Sequence, residues 1–359
     1  MSPTNYTAKK TTLDSIEIVQ LSDAARRMEL EIAPGIGNIA YRWTVSGKNY
    51  LYFPFAGVGV FAQRPRLCGI PFLGPWANRL DGFAFWANGK KYLLNSGLGN
   101  LRPDGNQKPL HGVLGFSKEW KLVEAKADST AAWSTSRLEY WRHVDMMAQF
   151  PFPHNITLTH RLRDGRLEVE TEIENLGDAP LPVSIGFHPY FQLNDTHRDE
   201  WHIHFAARDH MVLTPQLIAT GEAKPIEFAD PHSLRLGPLD DVFGNLIRDP
   251  DGLARFKVEG GHERVTVAFG PKFTTAVVYA PGGQDFICFE PMAAITNGLN
   301  LLTMALIRTC RVSHRARSGK RAGGAASGSR ILKERTVNHL DAVRTRRNRD
   351  GPQGRIGTQ

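Results

Sequence analysis

Ile156-Thr157-Leu158-Thr159-His160-Arg161-Leu162, then Asp164-Gly165, then Leu167-Glu168-Val169-Glu170-Thr171-Glu172-Ile173: these runs read as two strands joined by a tight turn. Apolar and polar residues alternate with period two on both sides of the turn, as in half-buried strands. Asp-Gly supplies the positive φ angles that a two-residue hairpin loop demands. Leu167, Val169, Thr171 and Ile173 share one face, and Glu168, Glu170, Glu172 and Glu174 the other. The acidic row is expected to be a solvated sheet face. Asn175 to Pro180 turns the chain again, and the run carrying His188 is expected to be the third strand of this meander.

The same pattern extends outward. Ile16 to Leu21 and Met28 to Ile32 alternate in the same way, with Gly35 and Gly37 marking the turn that follows. Arg264 to Phe269, Thr274 to Tyr279 and Asp285 to Phe289 are further strand-like runs, separated by proline or glycine. No sustained helical period and no strand–helix alternation appears, which argues against a parallel α/β fold. The expected fold class is all-β, a large antiparallel sandwich with few short helices.

The formal charge of +8 misleads about the body of the chain. Arg308 to Gln359 holds 14 Lys plus Arg against 3 Asp plus Glu, a net of +11, so residues 1–307 carry −3. The expected organisation is one sandwich domain over 1–307 and a basic tail over 308–359. That tail is too poor in apolar residues to offset the entropy of ordering. A nucleic-acid surface is therefore not expected on the folded part. Three cysteines, Cys68, Cys288 and Cys310, lie far apart, which fits a reducing cytoplasm rather than a disulfide framework. No run of about eighteen apolar residues is present, so no membrane partner is expected. Met1 to Lys10 lacks the apolar centre of a signal peptide.

Two polar residues stand out inside apolar runs: His188 in Gly186-Phe187-His188-Pro189-Tyr190-Phe191, and Glu290 in Phe286-Ile287-Cys288-Phe289-Glu290-Pro291. Each precedes a proline, which pushes its backbone toward the extended region. Each is costly to bury unless paired or used. One can donate and the other accept a proton near neutral pH, which points to acid/base chemistry on a substrate held between them. Arg79 and Asn78, in Pro75-Trp76-Ala77-Asn78-Arg79, His111, in Pro109-Leu110-His111-Gly112, and Asp240 beside Asp241 are further candidates. His202 and His204 share a strand face, but no third ligand lies at metal-site spacing, so no metal is expected.

In order along the chain, Asn78-Arg79, Gly82-Phe83, Leu110-His111-Gly112, Gly186 to Phe191, Leu239 to Phe243 and Phe289-Glu290-Pro291 resemble the aldose 1-epimerase (galactose mutarotase) family, over roughly residues 15 to 301. The resemblance implies a single large β-sandwich with an open sugar groove. It also implies interconversion of the α and β anomers of an aldose, here a free aldohexose, without cofactor. Carried over, Glu290 resembles the family's general base and His188 its general acid. Arg79 and His111 match residues that hold and polarise the sugar, Asp240 a carboxylate that binds hydroxyls, and Asn78 lies in the same substrate-binding motif. Acid/base action requires His188 and Glu290 to converge across a shared pocket, expected at about the width of a hexose. A monomer or homodimer is expected.

The chain leaves the family pattern after Leu302, as a shifted reading frame or a divergent end would make it do. A missing final strand would leave a sheet edge or core face uncovered. Two other activities fit the same residues. One is a hexose-phosphate epimerase, for which Arg64 and Arg66 would supply cations. The other is a non-catalytic sugar-binding module.

Overall fold

A computed structural model of the chain describes residues 5–301 and the strand Lys333–Arg344. Antiparallel strands dominate the described residues, and the α-helices are short: Val58–Gln63, Val144–Gln149 and Gly298–Leu301. The all-β sandwich expected from the sequence is therefore present. No described helix is long and apolar enough to cross a membrane.

The hairpin that opens the sequence reading forms as read. His154–Arg163 pairs with Arg166–Asn175, Leu162 lies opposite Leu167, and Asp164 and Gly165 take φ of 52° and 80°. These strands belong to a nine-stranded sheet that begins Lys121–Ala127, Ala132–Glu139, His154–Arg163, Arg166–Asn175. An eight-stranded sheet packs against it, and Phe256 of one meets Phe289 of the other at 5.9 Å between ring centroids. A five-stranded sheet, Tyr6–Leu13 through Lys48–Asn49, runs in sequence order beside them. One contiguous apolar cluster joins all three sheets through Trp43, Phe187, Phe243, Phe256 and Phe289.

Three expectations are corrected. The run carrying His188 is not the third strand of the meander. Gly186–Phe187 and Tyr190–Phe191 are two-residue strands of the eight-stranded sheet, both paired with Ile287–Met292. Prolines at 180, 182 and 189 withhold ladder donors, and a run buried on both faces belongs inside a sandwich rather than beside a half-solvated hairpin. The acidic row is not a freely solvated face either. Glu168 is 3% exposed and bonds Arg161 and Arg163, and Glu174 bonds Arg137 and Asn155. Arginines on neighbouring strands offset the cost of burying these carboxylates.

The third correction concerns the basic tail. Within it, Lys333–Arg344 is a strand, inserted between Arg166–Asn175 and Glu263–Phe269 in the nine-stranded sheet. A slot with backbone partners on both sides holds a strand without demanding apolar alternation, so periodicity gave no sign of it. The remainder of 308–359 lies outside the described residues.

His160, on the face pointing into the sandwich, is fully buried, and among the described residues neither ring nitrogen has a partner. Its cross-strand neighbour Ser134, with Ser136 and Thr171, adds buried hydroxyls that are likewise without partners among the described residues. Burial pushes the His160 pKa down to about 3. The unfolded chain then binds a proton that the folded chain refuses, so stability falls as pH drops from about 6.5 toward about 3. His160→Leu should shrink this acid loss in denaturant titrations across that range, whereas an unchanged pH dependence would contradict the assignment. Ending the chain at Leu301 should open the nine-stranded sheet at its middle and cost more than about 5 kcal/mol, since each lost backbone bond costs ~0.5–1.5 kcal/mol. A denaturation midpoint equal to that of the full chain would refute it.

Candidate functional site

Strand register brings the two leading candidates together. Gly186 lies opposite Met292 and Tyr190 opposite Cys288, so His188 is level with Glu290. The ladder is interrupted between these pairs, where Pro189 and Pro291 lack the N–H to continue it. His188 and Tyr190 keep their own backbone bonds, donating to the carbonyls of Pro71 and Gly69. Gly186 is required here: a Cβ would stand 2.4 Å from the Met292 sulfur and 2.8 Å from the Ala77 Cβ. Alternation then sorts the side chains. Phe187, Phe289 and Val278 enter the main core, while His188, Tyr190, Glu290, Cys288, Tyr279 and Asp240 take the opposite face.

His188 Nε2 lies 3.2 Å from Glu290 Oε1. The two side chains are in direct contact rather than a hexose's width apart, and they are only 8% and 3% exposed. A directly opposed cross-strand pair leaves no room for the wider separation. The imidazole stacks on Tyr190 at 4.6 Å and 4°, and the phenol oxygen is 3.5 Å from Nε2. Tyr279 stands edge-on to it at 6.0 Å.

Burial is the main influence on the ionisation of the pair. It pushes His188 down to about 3 and Glu290 well above the usual carboxylate range. Asp240 pushes Glu290 further up, and Arg79 pulls it down. Desolvation thus favours the form in which both groups are neutral.

The other candidates are built from two loops laid side by side. Gly74 bridges to Gly112 and Arg79 to Leu110. Gly112 has φ of 65°, and a Cβ on it would fall 2.1 Å from the Gly74 carbonyl oxygen, so only glycine permits the approach. The Asn78 N–H donates to His111 Nδ1 at 3.2 Å, and the His111 N–H donates to the Asn78 carbonyl at 2.9 Å. His111 Nδ1 is thus an acceptor, which leaves the proton on Nε2. His111 meets His188 edge-on at 5.5 Å. Burial, then His188 and Arg79, hold its pKa well below the ordinary value.

Arg79 is clamped by Asp104, Nε to Oδ2 at 2.6 Å, and by the Asn78 side-chain oxygen at 3.0 Å. Burial opposes ionisation of Asp104, but hydrogen bonds from Arg79 and from the backbone of Lys108 and Asn106 hold its pKa below the ordinary range. Asn78 is 5% exposed and engaged with Arg79 and His111, so it positions those two side chains rather than facing solvent. Asp240, opposite Tyr279, is exposed at the rim. Desolvation pushes its carboxyl up, Arg79 opposes this, and Asp241 adds to it. Arg66, one of the cations considered for phosphate, lies over Phe55 at 5.1 Å in a separate aromatic cluster. His204 is held by Asp230 at 2.7 Å, and His202 is exposed.

Sequence reasoning missed Asp104, Tyr190 and Tyr279. Asp104-Gly105-Asn106 carries the composition of a turn, which hides a clamp, and the two tyrosines read as ordinary strand aromatics.

A family model described as aldose 1-epimerase matches residues 21–304, and the chain belongs to that family. The crystal structure of a galactose mutarotase-like protein from Clostridium acetobutylicum is 18% identical with a TM-score of 0.76, covering 95% of this chain and 99% of that one. Galactose 1-epimerase from Lactobacillus acidophilus is 13% identical with a TM-score of 0.68, covering 96% and 100%. At these identities the likeness carries the fold alone. The uncharacterized protein YihR of Escherichia coli K12 is 24% identical over 146 residues, which is 40% of this chain and 43% of that relative's length.

Long-range proton–nitrogen spectra near neutral pH should show His111 as the Nε2–H tautomer, and His188 should stay neutral until about pH 3. A proton on His111 Nδ1, or a His188 imidazolium in mildly acidic buffer, would contradict the arrangement.

Proposed function

We propose that the chain interconverts the α and β anomers of a free aldohexose by opening and closing the hemiacetal ring. The observation that carries this reading is the 3.2 Å contact of His188 with Glu290 in a site where both side chains are buried. The two oxygens that exchange protons in ring opening, O1 and the ring oxygen, are bonded to the same carbon. An acid and a base side by side therefore serve the reaction as well as a widely spaced pair.

Sugar hydroxyls entering the site supply the hydrogen bonds that burial has removed, which allows the proton to reside on His188. Glu290 then takes the proton of O1 while His188 gives one to the ring oxygen, and C1 becomes an aldehyde. Rotation about C1–C2 presents the other carbonyl face. Glu290 returns its proton to the carbonyl oxygen as His188 takes one from the attacking hydroxyl, and the ring closes. Atoms and electrons balance without oxidation, so the chemistry calls for no redox partner.

In this reading Arg79, which Asp104 holds, and the Nε2–H of His111 stabilise charge on oxygen during opening. Asp240, at the rim, is assigned to sugar hydroxyls. The described cysteines, Cys68 and Cys288, are buried free thiols, in keeping with a reducing compartment.

Polarimetry on freshly dissolved α-glucose and α-galactose tests the assignment. Glu290→Gln and His188→Asn should each slow anomer conversion by roughly 100-fold or more, the usual contribution of a positioned acid or base, while leaving the melting transition intact. A near-wild-type rate in either variant would falsify the roles given to the pair.

A further inference from the structure

The two carboxylate oxygens of Asp104 serve different parts of the structure. Oδ1 accepts the N–H groups of Asn106 and Lys108, each at 2.9 Å. These bonds belong to the loop itself. Asp104 N–H donates to the Lys108 carbonyl, Gln107 N–H to the Asp104 carbonyl and Leu110 N–H to the Arg102 carbonyl. Pro103 bridges to Pro109 at the base of the loop. A short carboxylate that caps the turn following it is ordinary for aspartate. Oδ2 is not used locally. It accepts Arg79 Nε at 2.6 Å, across 25 positions of sequence.

A guanidinium presents five N–H donors in a rigid fork. Asp104 takes the one on Nε, and the Asn78 side-chain oxygen takes one on Nη1 at 3.0 Å. Among the described residues Nη2 has no protein partner. Asp81, a carboxylate two residues from Arg79, is taken by Lys108 instead. The Arg79 and Asp104 side chains are 17% and 8% exposed, so solvent screens their contact little. The Arg79 backbone is held as well. Its carbonyl accepts the Asn297 N–H at 2.7 Å, and it bridges to Leu110, the neighbour of His111. With backbone, Nε and Nη1 all fixed, Nη2 is the end of the fork left to meet a ligand.

We propose that Asp104 is a positioning residue for ring opening. It makes no contact with the sugar, and it acts by holding the Arg79 guanidinium with Nη2 toward the oxygen on which charge develops. Its own loop fixes the carboxylate before substrate arrives, so the cation need not be ordered during the reaction. The inference rests on the anomer-converting activity assigned to His188 and Glu290, and on the part given to Arg79 in it.

Asp104→Asn keeps the size of the side chain and the acceptor for the loop, and replaces the oxygen facing Arg79 by a nitrogen that only donates. Two loop N–H groups against one from Arg79 keep the amide oxygen on the loop side. In polarimetry with α-glucose and α-galactose, this variant should lower kcat about tenfold while KM changes by less than about twofold. In an Arg79→Ala background the same substitution should change kcat by less than about twofold, because a residue that acts only through Arg79 has nothing left to hold. The pH profile separates a displaced cation from a mere change of charge. If Arg79 moves away, Glu290 loses the pull that lowers its pKa, and the acid limb of kcat/KM moves to higher pH. If Arg79 stays and only a negative charge is removed, the limb moves to lower pH. The first is expected. Asp104→Ser, whose hydroxyl can cap the turn without reaching Arg79, should repeat these losses, and melting curves check that both variants fold. The proposal is overturned by a loss of kcat as large in the Arg79→Ala background, by a change confined to KM, or by an acid limb that stays put or moves down. If the unsubstituted enzyme converts neither sugar, the anomer-converting activity itself has failed, and that result is read without any variant.

Discussion

The site depends on a break in one β-ladder. Ile287–Met292 pairs with Tyr190–Phe191 at one end and with Gly186 at the other, and between them lie Pro189 and Pro291. Neither proline can donate, so the gap cannot close into a regular ladder. His188 and Glu290 face each other across that gap, on the side of the sheet away from Phe187 and Phe289. Core packing of the phenylalanines on one face thus fixes the acid/base pair on the other. A one-residue slip would exchange the two faces and destroy both.

Electrostatics follow from that placement. Two ionisable groups in contact, with little water, favour sharing one proton over standing as a charged pair. The charge of Arg79 acts on both groups, and its guanidinium is fixed by Asp104 and Asn78. The bond from Asn78 N–H to His111 Nδ1 sets the tautomer of the second imidazole by backbone geometry alone. The fold that achieves this is shared with structures only 13–18% identical, as expected where pattern and register matter more than particular side chains.

The sheets also join distant parts of the chain. The nine-stranded sheet takes its middle strand from Lys333–Arg344, beyond the family match at 21–304. The cavity beside His111 draws on Leu67, Gly99–Arg102, Leu110–Glu119 and the segment around His143. Glu168 and Glu174, which alternate like surface residues, are instead tied to arginines of neighbouring strands.

Local pattern by itself determined the all-β class, the hairpin at Asp164-Gly165, the odd placement of His188 and Glu290 before prolines, and the likeness to a family through motifs in order. These are short-range properties: period-two alternation, turn chemistry and proline restriction act within a few residues and can be read there. The sheet to which the His188 run belongs, the 3.2 Å contact in place of a hexose-wide gap, the clamp from Asp104, and the strand at Lys333–Arg344 were decided by tertiary structure. Each depends on which backbone lies alongside, and pairing between residues a hundred positions apart is set by the competition of whole strands for ladder partners and core space, which leaves no local mark.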